Sequence, residues 1–477
     1  MRKLLLASAA VIGGVAGGQV MAQTTNPAPG PLPPTWTEAP IPTAPSGIAS
    51  ANTNLSAQGF YTKGPLPAPT PGSIVVRFNG RVVFYGYALN QTSDKSTTFD
   101  AKGVPTTSRK AQPYGTLGYA RFYQGIDGMT TSGLRYGAAA EIRVNTSPTT
   151  GASVTSGGAS GASTAANLYI RRAFVYLGGN WGAIHFGQDD GPIGLMDAGV
   201  TTFQTYNDGG WNDDLPVSPD APVFPFPSGI GNEYTTSKVV YLSPQIAGFD
   251  FAASFEPDDN VLNDTIGGAT TNSPQLSTGA TASEIARRRN TYEGAVRYQG
   301  TVGPAGLYAM AGYMGSSKVT RGIGAPTTNY DNLGLFMGGL AVNFGGLRIG
   351  GSVVTGQGNN QLALKADGQA NMIGWLAGAQ YTLGPMTVGA SYLNVLSGGA
   401  LGAATASNPS GVLGSQRREG GINVGGTYVL APGLLAWVSA DYGQRYQGGW
   451  NFTTGSVGSA DNNVKFAIIA LGGMVRW

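Results

Sequence analysis

The sequence contains no cysteine, and only 11% of its 477 residues carry a formal charge. The lack of cysteine excludes a disulfide framework and thiolate metal sites. The mean hydropathy of −0.05 excludes a polytopic helical membrane protein, which would need several apolar runs of about 20 residues. A soluble domain has about 25% charged residues, so the low charge is also unusual for a protein surrounded by water.

Glycine and aromatic residues are abundant instead. The chain has 76 glycines and 22 tyrosines, and 41% of its residues are hydrophobic. Because glycine loses much backbone entropy in a regular helix, this composition disfavours a helical bundle. The sequence has no G-X-Y repeat, so it is not collagen. Its hydrophobic content is too high for a disordered chain. The composition therefore predicts a large all-β protein.

The N-terminus has the pattern of a secretory signal peptide, predicted over residues 1–22. Arg2 and Lys3 form a positive segment, residues 4–16 an apolar core, and residues 20–22 a small-residue cleavage site. The apolar core is too short to span a bilayer. Without Arg2 and Lys3 the net charge of +3 falls to +1, which gives no support to nucleic-acid binding.

A proline-rich segment follows, with twelve prolines between residues 24 and 72. Proline donates no backbone hydrogen bond and favours extended conformations. We interpret residues 23–72 as a disordered periplasmic extension that acts as a spacer; contact with peptidoglycan or a partner is the alternative. The remaining residues, 73–477, are predicted to form one β domain.

Apolar and polar residues alternate throughout this domain. Between residues 134 and 142 the even positions are apolar, whereas the odd positions are small or charged. This period of two is typical of a strand with one apolar and one polar face. Sixteen segments share the pattern, with boundaries near 78–90, 114–124, 132–144, 167–178, 182–188, 236–243, 248–256, 290–300, 305–316, 331–344, 346–356, 371–382, 386–396, 418–430, 433–446 and 464–477.

The connections between these segments alternate in length. Short turns such as 383–385 and 431–432 alternate with long loops such as 189–235 and 257–289. Transmembrane barrels have an even number of strands, short periplasmic turns and long external loops. Tyrosines before several short turns, such as Tyr381, would form an aromatic girdle. We therefore predict a 16-stranded antiparallel transmembrane β-barrel.

Several stretches resemble those of Gram-negative general porins. They are residues 167–188, which contain "RRAFVYLGGNWG", and residues 237–249, which contain "SKVVYLSP". The resemblance implies a homotrimeric channel for passive diffusion of small hydrophilic solutes across the bacterial outer membrane. It also implies a third loop that folds inward, with acidic residues facing bases on the wall. No resident cofactor is expected.

The C-terminus is similar to the signal that the barrel-assembly machinery reads in this family, a glycine and a hydrophobic residue before a terminal aromatic residue. The corresponding residues are Gly472, Val475 and Trp477. The sequence departs from the usual pattern at Ala470, where a polar residue is common, and in ending on tryptophan rather than phenylalanine.

The third long loop, 189–235, carries eight acidic residues and no lysine or arginine in its 47 positions. We predict that it narrows the pore, although an ordinary solvated loop would also be rich in acids. Residues near the strand end are the best candidates for the narrow zone. The predicted constriction residues are Asp189, Asp190, Asp197, Asp208, Asp213 and Asp214.

Alternation also predicts which bases point inward. Adjacent residues on a strand face opposite sides, so at most one of Arg171 and Arg172 should face the lumen. The apolar neighbours favour Arg172, whereas the family resemblance favours Arg171. Arg121 cannot be assigned. The predicted basic wall residues are Arg81, Arg143, Arg172, Lys238, Arg297 and Arg348.

Other functions remain as alternatives. A sugar- or phosphate-specific porin would need an aromatic track or a tight basic cluster, for which Tyr85 and Tyr87 alone are too few. A barrel hydrolase would have to use His185, the single histidine, which is predicted to face inward.

Three further segments are candidate binding sites. Acidic segments at 256–264 and 208–214 could hold Ca²⁺, although neither has EF-hand spacing. The expected partners are outer-membrane lipids and lipopolysaccharide, the latter a candidate ligand for residues 287–289.

Overall fold

The computed structural model describes the following residues: 70–92, 95–99, 105–110, 112–145, 167–196, 236–258, 286–287, 289–317, 320–321, 330–359, 365–402, 411–454 and 456–477. The predicted signal peptide and nearly all of the proline-rich extension lie outside this part of the chain. Within it, none of the helices is both long and apolar enough to cross a bilayer.

Sixteen antiparallel strands form a closed barrel in which each strand pairs with its neighbours along the chain. The strands are β1 (Ile74–Gln91), β2 (Tyr114–Met129), β3 (Arg135–Asn145), β4 (Asn167–Gly179), β5 (Gly182–Asp189), β6 (Thr236–Leu242), β7 (Phe249–Asp258), β8 (Arg289–Val302), β9 (Ala305–Gly315), β10 (Gly334–Phe344), β11 (Leu347–Gln357), β12 (Met372–Leu383), β13 (Met386–Ser397), β14 (Arg417–Ala431), β15 (Leu434–Tyr446) and β16 (Asn463–Arg476).

The predicted fold class and strand number are therefore confirmed. The barrel closes where β1 pairs with β16 over a continuous register from Arg81 opposite Arg476 to Gln91 opposite Phe466. The terminal Trp477 extends this seam, because its backbone N–H and C=O exchange hydrogen bonds with those of Gly80. Closure leaves no strand edge unpaired, which is the condition for a sheet to exist in hydrocarbon.

The alternation predicted from sequence separates an apolar outer face from a polar inner face. On β14, for example, the apolar Ile422, Val424 and Leu430 are exposed on the outside, whereas Glu419 and Asn423, at positions of the opposite parity, are buried inside. Large apolar side chains are likewise exposed on the other strands, for example Phe84, Phe336 and Leu471. A polar interior with an apolar exterior is the reverse of the arrangement in a soluble domain and is typical of a membrane barrel.

Short turns and long loops lie at opposite ends of the strands. The short turns rely on glycines with positive φ, such as Gly345 and Gly384, in the two-residue connections of β10–β11 and β12–β13. The described parts of the long loops contain elements that the sequence pattern did not indicate, namely three two-stranded ribbons. They pair Lys95–Phe99 with Pro105–Lys110, Ala286–Arg287 with Thr320–Arg321, and Trp450–Asn451 with Ser456–Val457.

Candidate functional site

Four arginines occupy directly paired positions on adjacent strands of the inner wall. Arg476 on β16 pairs with Arg81 on β1, Arg81 with Arg121 on β2, and Arg121 with Arg143 on β3. We call these residues the arginine row. Like charges directly opposite each other destabilise a sheet. The row therefore concentrates positive potential on one side of the barrel at a cost in stability.

One aromatic ring, that of Tyr119, contacts two members of the arginine row. The guanidinium carbons of Arg121 and Arg81 lie 4.6 and 5.6 Å from the centre of the Tyr119 ring. The negative face of an aromatic ring attracts a cation, which holds both side chains near the wall. Arg121, which the sequence left unassigned, thus lies on the inner face.

Both Arg171 and Arg172 lie on the inner face, so the expectation that at most one of them does so is wrong. The pairing of β3 with β4 steps from Glu141 opposite Arg172 to Ile142 opposite Ile170, which leaves Arg171 without a partner in the ladder. This is the pattern of a β-bulge, in which one extra residue interrupts the alternation. The exposed fractions of Arg171 and Arg172 are 5% and 0%.

The bulge brings the two arginines against two buried carboxylates. Arg171 donates to Asp190 Oδ1 over 2.6 Å, and Arg172 donates to Asp190 Oδ2 over 2.8 Å. Both guanidinium groups also donate to Glu141 Oε2 over 3.0 Å, and Arg143 donates to its Oε1 over 2.6 Å. This arginine–carboxylate cluster ties the first loop residue after β5 to the inner wall of β3 and β4.

Two further contacts hold the start of the loop. The backbone N–H of Asp190 donates to Asp189 Oδ1 over 2.8 Å, and Asp189 Oδ2 lies 2.8 Å from Nδ1 of His185. The imidazole of His185 stacks on Phe174, with ring centres 4.6 Å apart. His185 therefore faces inward as predicted and is engaged in positioning the loop.

Burial governs the charge of Asp190. It raises the pKa of this carboxyl from 3.8 to about 7, although Arg171 and Arg172 act in the opposite direction. Neighbouring Asp189 and Glu141 raise the pKa further by repulsion. The ionisation of Asp190 consequently changes near neutral pH.

The loop then crosses the inner wall as a short helix, α1 (Pro192–Leu195), which packs against β7, β8 and β9. The backbone N–H of Ile193 donates to Glu293 Oε2 over 3.2 Å. A Cβ on Gly191 would lie 1.8 Å from Glu293 Oε1, so a larger residue here would require the Glu293 carboxylate to move. The described part of the loop, up to residue 196, thus lies on the inner side of the barrel.

The other predicted wall bases lie at several places on the inner face. Lys238 Nζ lies 3.7 Å from both Glu256 and Glu293, beneath α1. Arg297 forms a two-pronged ion pair with Asp250. Arg348 is half-buried, 5.4 Å from the centre of the Tyr308 ring and away from the arginine–carboxylate cluster.

The predicted constriction acids are only partly described. Asp189 and Asp190 are fully buried at the arginine–carboxylate cluster, whereas Asp197, Asp208, Asp213 and Asp214 lie outside the described residues. Together with the arginine row, the described members place opposite charges side by side on the wall of β1 to β5. Their role in narrowing a pore stays a prediction.

Sequence reasoning missed four contributors to the site. Glu141 is two positions from Arg143 on the same face of β3, so alternation could have identified it. Arg171 could be assigned to the inner face only once the bulge was known. Arg121 lies on a strand whose outer face is weakly apolar. Glu293 becomes recognisable only when α1 is seen against β8.

At the C-terminus, Gly472 is required by packing, because an added Cβ would lie 2.5 Å from Tyr85 and 2.6 Å from Trp437. Val475 is exposed on the outer face, and the Trp477 ring lies edge-on to Phe122 at 6.1 Å. These contacts explain the residue types structurally, and their recognition during assembly stays a prediction.

The alternatives can be placed on the same wall. Tyr85 packs on Trp437 with ring centres 5.2 Å apart, and Tyr87 lies next along the inner face of β1. The described residues contain no group of three or more His, Cys, Asp or Glu side chains that could hold a metal ion. The acidic segment 208–214 and most of 256–264 lie outside them.

A model of the Gram-negative porin family matches residues 41–466, and the chain belongs to this family. It therefore forms a channel of the bacterial outer membrane. A search of curated proteins found no significant match.

Solved porin structures cover most of the chain. The anion-selective porin from Comamonas acidovorans is 17% identical, covers 85% of this chain over 100% of its own length and has a TM-score of 0.49. OmpT of Vibrio cholerae, in a trimer form, is 13% identical, with 85% and 100% covered and a TM-score of 0.46. The channel DcaP of Acinetobacter baumannii is 13% identical, with 86% and 100% covered and a TM-score of 0.47.

Proposed function

We propose that this porin is a water-filled channel for passive diffusion of small hydrophilic solutes, with a preference for anions. The observation that carries the anion preference is the arginine row on β16, β1, β2 and β3. Charged walls of low dielectric raise the local concentration of the opposite ion. A ring or row of bases lining a pore selects anions in the same way.

The narrow zone lies where the third loop meets the arginine–carboxylate cluster. Asp190 is bound by Arg171 and Arg172, and α1 packs on the facing strands β7 to β9. Because Asp190 is ion-paired on the same wall, the transverse field that orients dipolar solutes would come from other acids of the loop that face the arginine row. The predicted acids beyond residue 196 would extend this field along the loop.

The remaining features of the proposal concern export and assembly. Residues 1–22 direct export to the periplasm, and residues 23–72 form a periplasmic spacer. The C-terminal residues Gly472, Val475 and Trp477 present the assembly signal. The working unit is a homotrimer, as in the trimer form described for OmpT.

Planar-bilayer recordings in a tenfold KCl gradient test the proposal. The wild-type reversal potential should show anion preference, and the double variant Arg81→Gln, Arg121→Gln should lower the anion-to-cation permeability ratio several-fold. Arg418→Gln is the matched control, because this arginine lies on the outer face and should leave the ratio unchanged.

Two outcomes would contradict the proposal at different levels. Purified protein that does not raise membrane conductance would remove the channel function itself. An unchanged permeability ratio in the double variant, with conductance intact, would show that the arginine row does not set ion preference.

A further inference from the structure

The outer face of the described barrel strands carries two charged side chains, which lie two strands apart near the same end of the barrel. Among the basic side chains described on the barrel strands, only Arg418 and Lys465 lie on the outer face; the others lie on the inner face. The acidic side chains described on these strands also have inward parity. Because charge on the lipid-facing surface is destabilising in hydrocarbon, two bases there need a polar environment.

Their height along the barrel supplies that environment. On β14 the apolar outward residues extend from Leu430, near the short turns, to Ile422. At 3.3 Å per residue and a 40° tilt this band is about 20 Å tall, and Arg418 lies about 10 Å beyond it. Arg418 is therefore at the level of lipid headgroups, at the end of the barrel that carries the long loops.

A depression of about 390 Å³ surrounds Arg418 on this outer surface, lined by Leu396, Gln416, Arg418, Gln444, Tyr446 and Asn463. We call it the rim pocket. Strand pairing places Arg418 opposite Tyr446, Tyr446 opposite Asn463, and Gln444 opposite Lys465. Lys465 thus lies two positions from Asn463 on β16, next to the residues that line the pocket.

The chemistry of the rim pocket suits an anion with several oxygen atoms. Its lining supplies a guanidinium group, three side-chain amides and a phenol, and it contains no carboxylate. None of the ion pairs between described residues involves Arg418 or Lys465. Arginine recognises phosphate with paired, charge-assisted hydrogen bonds.

We propose that the rim pocket binds the phosphate-bearing headgroup of a lipid in the external leaflet. The phosphate lies against Arg418 and Lys465, and an acyl chain runs down the apolar surface at Ile422 and Tyr442, both exposed below the pocket. This inference rests on the proposed function, because it assumes that the barrel is oriented in the outer membrane with its long loops on the cell surface.

The test is lipid retention in native mass spectrometry, with the purified full-length protein released from detergent micelles. The probe is a bis-phosphorylated, acylated disaccharide lipid (diphosphoryl lipid A), and its dephosphorylated form is the matched ligand. We expect the phosphorylated lipid to be retained at least tenfold more strongly. In Arg418→Gln, Lys465→Gln this advantage should fall to less than threefold.

Arg348→Gln serves as the control variant, since it removes one positive charge from the inner face and should retain lipid like the wild type. Conductance of the double variant should equal that of the wild type, which separates this test from that of channel function. Equal retention by wild type and double variant would overturn the proposal. Displacement of the lipid by inorganic phosphate at about 10 mM, which would fill even a weak site with a Kd of about 1 mM, would show a free-phosphate site instead.

Discussion

At the scale of single residues, Asp190 combines burial with two arginine partners. A buried carboxylate loses hydration, and two guanidinium groups restore only part of that loss. The result is a pKa of about 7 rather than 3.8. Since this residue lies where the loop leaves β5, its charge affects both the wall potential and the attachment of the loop.

Asp190 predicts a pH-dependent ion preference. Lowering the pH from 8 to 5 protonates Asp190 and removes one negative charge beside Arg171 and Arg172, so anion preference should increase. In Asp190→Asn the preference should be high at pH 8 and change less over the same range. Reversal potentials at several pH values measure both.

His185 provides the necessary control, because its imidazole contacts Asp189. If His185→Gln abolishes the pH dependence while Asp190→Asn preserves it, the assignment to Asp190 is wrong.

The effect of Asp190 on the stability of the folded protein also has a definite sign. The folded pKa of Asp190 is raised, so its contribution to stability is full below pH 3.8 and is lost as the pH rises through about 7.

At the scale of elements, alternation within a strand predicted most of the wall but not the bulge on β4. Odd and even positions can be assigned to the inner and outer faces only while the strand pairing is regular. The bulge at Arg171 interrupts the alternation, and it depends on how β4 pairs with β3. The sequence nevertheless contained a signal. Two adjacent arginines on a membrane strand would place one in lipid, at a cost of about 2–4 kcal/mol at the midplane, and a bulge avoids that cost.

The position of α1 could not have been predicted in the same way. Its contact with Glu293 joins residues a hundred positions apart, and no local pattern encodes that approach. The acidic bias of the loop did identify Asp189 and Asp190 as candidates, because composition is visible without the pairing. Which of the wall bases they meet depends on the register of β3, β4 and β5.

The outer face of β14 gives a prediction about depth. Val424→Arg, inside the apolar band, should lower the free energy of unfolding in lipid vesicles by up to about 2–4 kcal/mol. Asn90→Arg, at the loop end of β1 on the same outer face, should cost about 0–1 kcal/mol. Guanidinium titrations of refolded protein measure both values, and equal costs would argue against the proposed membrane position.

At the scale of the whole molecule, closure depends on the seam between β1 and β16. Trp477 adds two backbone hydrogen bonds to Gly80, and its ring covers that glycine so closely that an added Cβ would lie 2.5 Å from it. The last residue therefore contributes to the barrel wall itself as well as to the predicted assembly signal.

Trp477 should accordingly be replaceable only by another aromatic residue. Trp477→Phe should give an outer-membrane yield within about twofold of the wild type, whereas Trp477→Ser should reduce it by tenfold or more. Heat-modifiable mobility of the outer-membrane fraction on gels measures folded barrel. Unassisted refolding of both variants into detergent separates the two roles: equal refolding would assign the loss to recognition, and poor refolding of Trp477→Ser to the seam.

The arginine row has a consequence for the movement of water. In a pore whose mobile ions are mostly anions, an applied voltage moves more anions than cations, and each moving ion drags its hydration water. Net electro-osmotic flow would then run toward the positive electrode. Uncharged solutes would be carried with that flow, so a row of four paired arginines could bias the transport of molecules that carry no charge.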